Sequence, residues 1–150
     1  MANTSAICSS FKQELLQGKH NFSSSGGDTF KIALYDSAAT LGASTTGYSA
    51  SEEITNTSGT AYQATGAELT RTGVGLTGTT AFTDFGDVTY TSASFTANAA
   101  LIYNTTTGTN TGTTNAVCAI AFGGDKTASN GTFKIEFPAN DATAAIIRLA

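Results

Sequence analysis

The sequence predicts a mainly β protein: an antiparallel β-sandwich or barrel-like domain of about seven or eight strands, preceded by one short N-terminal α-helix. Three observations carry the prediction. Apolar and polar residues alternate one by one in short runs, so that Phe133, Ile135 and Phe137 point one way and Thr132, Lys134 and Glu136 the other. The segments between such runs are threonine, serine, glycine and asparagine, with 16 glycines and a single proline, Pro138, so turns are plentiful. Hydrophobic residues make up 40% and charged residues only 12%, which excludes wholesale disorder and leaves few groups for acid, base or metal chemistry. At 150 residues the chain is expected to form one domain and to bury roughly two thirds of its extended surface.

Near the start, Ile7, Phe11 and Leu15 recur every fourth residue with Leu16 beside them, and Lys12, Gln13 and Gln17 lie opposite. That spacing predicts a helix over about residues 5–17, capped by Ser9 or Ser10 and stopped at Gly18. Ser23 to Gly27 is a flexible hinge. The first strand is expected over 28–35, where Phe30, Ile32 and Leu34 alternate with Thr29, Lys31 and Ala33. Residues 36–60 read as a long surface excursion anchored by Tyr48 and Ile54. Strands are then expected over 67–72, 80–85, 87–90, 93–103, 116–122, 132–137 and 142–149, with Pro138 ending the sixth of these because proline lacks a ladder donor. Asn104 to Asn115 contains no apolar residue and is expected to face solvent. The division expected is an N-terminal arm and helix over residues 1–22 and one β-rich domain over residues 23–150.

The net charge of −4, the pI near 4.7 and seven scattered basic residues argue against nucleic acid as a partner. No apolar run is long enough to span a membrane as a helix. The first ten residues hold neither a basic residue nor an apolar run, so synthesis in a host cytoplasm without a secretory leader is expected. Cys8 and Cys118 lie among apolar neighbours and are expected to be buried free thiols.

Several motifs weaken on inspection. Gly73 to Gly78 spells GxGxxG, but strand-like residues follow it and no βαβ unit surrounds it, so a turn between strands is expected. Asp84-Phe85-Gly86 spells a kinase metal triplet in a chain too short for a kinase. Catalytic carboxylate pairs would have to come from Glu52 and Glu53, Asp84 and Asp87, or Asp125 and Asp141, and acids in turns ordinarily cap amides. His20 is the only histidine, so no histidine metal cluster can form within one subunit, and its expected role is to hydrogen-bond the turn leading to the first strand. Pairing it with Cys8 or Cys118 as a nucleophile conflicts with their apolar setting. The alternating threonines suggest ice binding only where many rungs stack, and no fixed-period repeat is present. Asn-X-Ser/Thr triplets at Asn3, Asn21, Asn56, Asn104 and Asn130 follow from threonine abundance. No catalytic, cofactor-binding or metal-binding residue is therefore assigned. The partner-contact residues proposed from sequence are Ile7, Phe11, Leu15 and Leu16, with packing of that helix face on its own sheet as the other reading.

The segment Ile7-Cys8-Ser9-Ser10-Phe11-Lys12-Gln13-Glu14-Leu15-Leu16-Gln17-Gly18-Lys19-His20-Asn21-Phe22, followed by Gly27-Asp28-Thr29-Phe30-Lys31-Ile32-Ala33-Leu34-Tyr35, resembles a widespread family of small virion structural proteins of tailed bacteriophages. Ala99 to Asn104, Phe122 to Lys126, Asn130 to Phe133 and the closing region from Phe137 to Leu149 continue the resemblance over most of the chain. It departs in the loops at 38–60 and 105–115. The resemblance implies a non-enzymatic particle component, a capsid decoration (cement) protein or, alternatively, a tail or neck component. The combined expectation is a homotrimer on the capsid surface of the virion that bridges major capsid protein subunits, without cofactor, nucleic acid or membrane. A host-surface or carbohydrate-binding module is the remaining alternative, and it would require Tyr48, Tyr62, Tyr90 and Tyr103 to cluster on an exposed face.

Overall fold

The computed structural model describes residues 2–55, 61–106 and 115–150. The chain is mainly β: eight strands in two antiparallel sheets, arranged like a sandwich and without a closed barrel among the described residues. The strands are β1 (Ala6–Ile7), β2 (Phe30–Tyr35), β3 (Ala67–Glu68), β4 (Arg71–Thr77), β5 (Thr80–Phe85), β6 (Val88–Asn104), β7 (Ala116–Ile135) and β8 (Ile147–Leu149), with one helix, α1 (Ser9–Leu16). One sheet runs β1-β7-β6-β2-β3, and the other β4-β5-β8.

The long β6–β7 pair is the frame. The sequence suggests two short strands on each side, broken at residues 91–92 and over residues 123–131. Instead each side is one strand, and the breaks are irregularities within it. Between Ala97↔Lys126 and Ala99↔Ala121, β7 carries more residues than β6, and the excess is absorbed where Gly123 and Gly124 take φ of +73° and +136°. Ser92 and Asn130, both at positive φ, lie at the departures from regular register on either side of Ala93, and a further shift falls between Ile102 and Tyr103.

Along β6, Ala97, Ala99, Ala100, Leu101, Ile102, Tyr103 and Asn104 are all buried, so both faces of the sheet centre are covered. On one face, Phe30 lies beside Asn104 and stacks on Phe22 with ring centroids 4.5 Å apart, with Phe85 behind. On the other, Tyr103 stacks on Tyr48 at 4.9 Å, and Tyr35 Oη donates to Ser49 O. The small alanines let the two layers approach this closely.

Residues 36–55 are not a loose surface excursion. Ala39, Leu41 and Glu53 are buried, and Glu53 bridges back to Tyr35. Ile54 N donates to Leu34 O, while Leu34 N donates to Tyr62 Oη, so these residues occupy the edge of β2 beyond β3. Residues 56–60 and 107–114 lie outside the described residues, and with them Asn56 and most of the threonine-glycine segment expected to face solvent.

Other boundaries also differ from expectation: the run 67–72 is divided between β3 in one sheet and β4 in the other, and β7 ends at Ile135 rather than at residue 137. The helix begins at Ser9 rather than near residue 5, because Ala6 and Ile7 pair with Ala119 and Cys118 as β1. Its N-cap is Cys8, whose side chain makes no cap hydrogen bond, rather than a serine; Gly18, at φ +69°, ends it as expected. Only Ile147–Leu149 of the run 142–149 is strand, because Asp141 closes a turn by accepting from Thr143 N, Thr143 Oγ1 and Ala144 N.

Gly66 makes the tight approach of β3 to β2 possible. Its φ is +81°, and an added Cβ would lie 2.0 Å from Ile32 O. Gly66→Ala is expected to lower unfolding free energy by at least about 2 kcal/mol, measured by urea denaturation, because strain and a backbone clash combine.

Candidate partner interface

The sequence-proposed contact residues fall into different environments. Phe11 is 1% exposed and packs edge-on against Phe22 at 6.0 Å and on the His20 ring at 4.8 Å. Ile7 is half-buried, pairs with Cys118 and packs against the core. Leu15 is also half-buried, whereas Leu16 is 92% exposed. The helix face is thus shared between the core and solvent, and only its C-terminal leucines reach the surface.

Of the two, Leu15 stands at the β4-β5-β8 sheet. Cross-strand partners place Val74, Thr83 and Ile147 in one row and Leu76, Ala81 and Leu149 in the next, all on one face. The first row runs into the core at Thr83 and Ile147, both buried. The second row runs out of it: Leu76 is 71% and Leu149 55% exposed, with Val74 at 63%. Between this face and the turn after α1 lies an open groove of about 420 Å³ that includes Leu15, Gly18, Phe22, Val74, Ala81 and Leu149. All four exposed large hydrophobics of the described residues, Leu16, Val74, Leu76 and Leu149, belong to α1 and this sheet. A concentration of apolar side chains on one part of a polar-coated surface marks an interaction surface.

The sequence pattern contained Val74 and Leu76 but placed them in a turn. In the structure Gly73 to Thr77 is strand, and the turn is Gly78-Thr79, with Gly78 at φ +59°. The alternation Val-Gly-Leu was the available signal, masked by the flanking glycines.

The wall of the groove is fixed by a buried polar group. His20 Nε2 lies 2.7 Å from Glu14 Oε2, and both side chains are nearly inaccessible. Asn104 Oδ1 accepts from Thr106 N, so its Nδ2 faces His20 Nδ1 at 3.1 Å and Asp28 Oδ2 at 2.8 Å. An amide nitrogen can only donate, so Nδ1 accepts and Nε2–H points to Glu14. His20 therefore ties the end of α1 to the end of β6, rather than only the turn it sits in.

The other titratable candidates are dispersed. Glu53 is buried and accepts from Tyr62 Oη at 2.6 Å, Thr65 N at 2.7 Å and Tyr48 Oη, while Glu52 is exposed. Asp125 accepts from Asn98 Nδ2, and Asp141 holds its own turn. Cys8 and Cys118 are buried free thiols; burial pushes Cys8 up to about 11 and raises Cys118 further, which opposes thiolate chemistry. Tyr62, Tyr90 and Tyr103 are buried, so the exposed tyrosine platform needed for sugar stacking is not formed by them. Among the described residues no group of three or more His, Cys, Asp or Glu is placed to hold a metal ion.

No family model, curated protein or solved structure matches this chain.

Two outcomes follow from this geometry. Phe11→Ala is expected to cost about 3–5 kcal/mol in a denaturation experiment, whereas Leu16→Ser is expected to change stability by less than about 0.5 kcal/mol. Asp84 and Asp87 are expected to titrate in opposite directions from the ordinary aspartate value in carboxyl NMR. Burial raises Asp84 despite the amides of Phe85 and Ile146, whereas the Phe137 amide and then Lys134 lower Asp87; Asp141 is lowered by the Thr143 hydroxyl and amide. Asp87 and Asp141 therefore support the fold above the ordinary aspartate range and lose that support as pH falls through their depressed midpoints. Asp84 acts with the opposite sign, favouring the fold at low pH and losing that effect as pH rises from the ordinary value to its raised midpoint.

Proposed function

We propose that this chain is a non-enzymatic structural protein of a tailed-phage virion, a capsid decoration protein that bridges major capsid subunits and stabilises the head. The observation that carries the reading is the exposure of Val74, Leu76 and Leu149 together on one face of the β4-β5-β8 sheet. A protein whose work is to occupy a junction needs a rigid body and a desolvating contact, and both are available here. The sequence resemblance supplies the particle context. Several weak contacts acting together hold an oligomeric protein to a shell, because linked sites convert later binding events into intramolecular ones.

Cryo-electron microscopy of particles carrying this chain tests the reading by position and copy number. Density at lattice junctions over the whole head supports the cement role. A ring confined to the tail or neck would replace it with the tail-component alternative, and absence from the particle would end both.

A further inference from the structure

We propose that β4 is a self-association edge, through which two copies of the chain pair antiparallel about a two-fold axis and join their three-stranded sheets into one. The inference does not rest on the capsid reading.

The edges of the two sheets differ in how they are protected. β1 and β3 are two residues each, and β3 carries Glu68; β8 is three residues and carries Arg148. The part of β7 beyond its pairing with β1 carries Asp125, Lys126 and Lys134. Short length and charge are the ordinary means of keeping a sheet edge from pairing with another chain. β4 has neither. It is seven residues long, ends its sheet, and from Thr72 through Thr83 the chain contains no charged residue and no proline.

The register says which backbone groups are open. The two-residue turn at Gly78-Thr79 makes Thr77 and Thr80 a hydrogen-bonded pair, and alternation makes Gly75 and Phe82 the next. The N–H and C=O groups of Val74 and Leu76 therefore point away from β5, and their side chains are the exposed ones. Toward its start the strand is already engaged: Arg71 Nε donates to Ser23 O, Gly73 lies beside Ser24, and the register shifts between Arg71 and Val74. The open segment is Val74 to Thr77.

A second copy of that segment supplies what the edge lacks. Two-fold antiparallel pairing sets Val74 against Leu76 of the second copy and Leu76 against its Val74, forming about four backbone hydrogen bonds. Gly75 then faces Gly75 of the second copy across a non-hydrogen-bonded position, where Cα atoms approach to about 4.5 Å. Glycine suits that approach. On the reverse face the Phe82 ring fills the space a Gly75 side chain would take, since an added Cβ would lie 2.4 Å from Phe82 Cζ. On the front face Val74 and Leu76 of both copies form one apolar cluster, and no charge from Thr72–Thr83 meets another. Because the contact is isologous it closes at two copies. A three-membered ring would have to pair β4 with the β8 edge of the next copy, where Arg148 alone directs its backbone outward, so the unit is a dimer instead of the trimer expected from sequence.

The test is sedimentation equilibrium of the full chain over about 1–100 µM, with Val74→Lys, Leu76→Lys and Leu16→Lys variants checked for fold by circular dichroism. The expected result is a wild-type mass approaching twice the 15.2 kDa of one chain. Val74→Lys and Leu76→Lys should each raise the dissociation constant at least about tenfold, because each lysine is then set against an apolar residue of the second copy and lies diagonally across the edge from the like charge. Leu16→Lys should leave it unchanged. A monomer throughout, a trimer, or a dimer insensitive to both β4 lysines would overturn the proposal. If a β4 lysine variant unfolds, Leu76→Thr, which keeps β-propensity while removing the apolar contact, gives the same readout.

Discussion

The β6–β7 ladder is the constraint on which the rest of the structure depends. β1 adds to β7, β2 adds to β6, and α1 packs against β7. For one pair of strands to be covered on both faces, its side chains must be small where the layers are closest and large where a layer has to be filled. Ala97, Ala99 and Ala100 meet the first condition; Leu101, Ile102 and Tyr103 meet the second. The glycine-rich irregularity at residues 122–125 lets so long a ladder persist without forcing all its residues into one register.

Burial on both faces has an electrostatic consequence. Glu14, Glu53 and Asp84 are carried inside, where a carboxylate without partners is costly. Each is met locally: Glu14 by His20, Glu53 by two tyrosine hydroxyls and an amide, Asp84 by the amides of Phe85 and Ile146. Burial first, and then the neighbouring Glu53, hold Tyr48 and Tyr62 as protonated donors far into the alkaline range. These polar groups are clamps. They fix Tyr48, Glu53 and Tyr62 to β2 and the end of α1 to β6.

Much of this was legible in the sequence, and the failures have physical causes. Alternation at 30–35 marked β2, and β-branched and aromatic residues marked β5 over 80–85, although β2 is buried on both faces. Glycine pairs and positive-φ positions were read as turns, although in a long antiparallel ladder the same residues make bulges, and local sequence does not distinguish the two. The start of α1 was misplaced because Ile7 fits a helical spacing while its partner, Cys118, is remote in sequence. The apolar surface was half legible: Leu16 was proposed from its place beside the helical stripe, while Val74, Leu76 and Leu149 depend on which face of a sheet is left uncovered. Tyr62, Tyr90 and Tyr103 show the reverse error, since aromatic residues in a polar chain suggest a binding platform when the core needs them more.

The pairing of β1 with β7 bears on how the protein comes to exist in a cell. Ile7 meets Cys118, and Ala6 meets Ala119, so these residues have no strand to join until synthesis has passed through β7. During that interval Ile7, Cys8 and Phe11 are without their native cover. The nascent chain therefore cannot complete this sheet in chain order, and β1 is laid against a strand synthesised long after it.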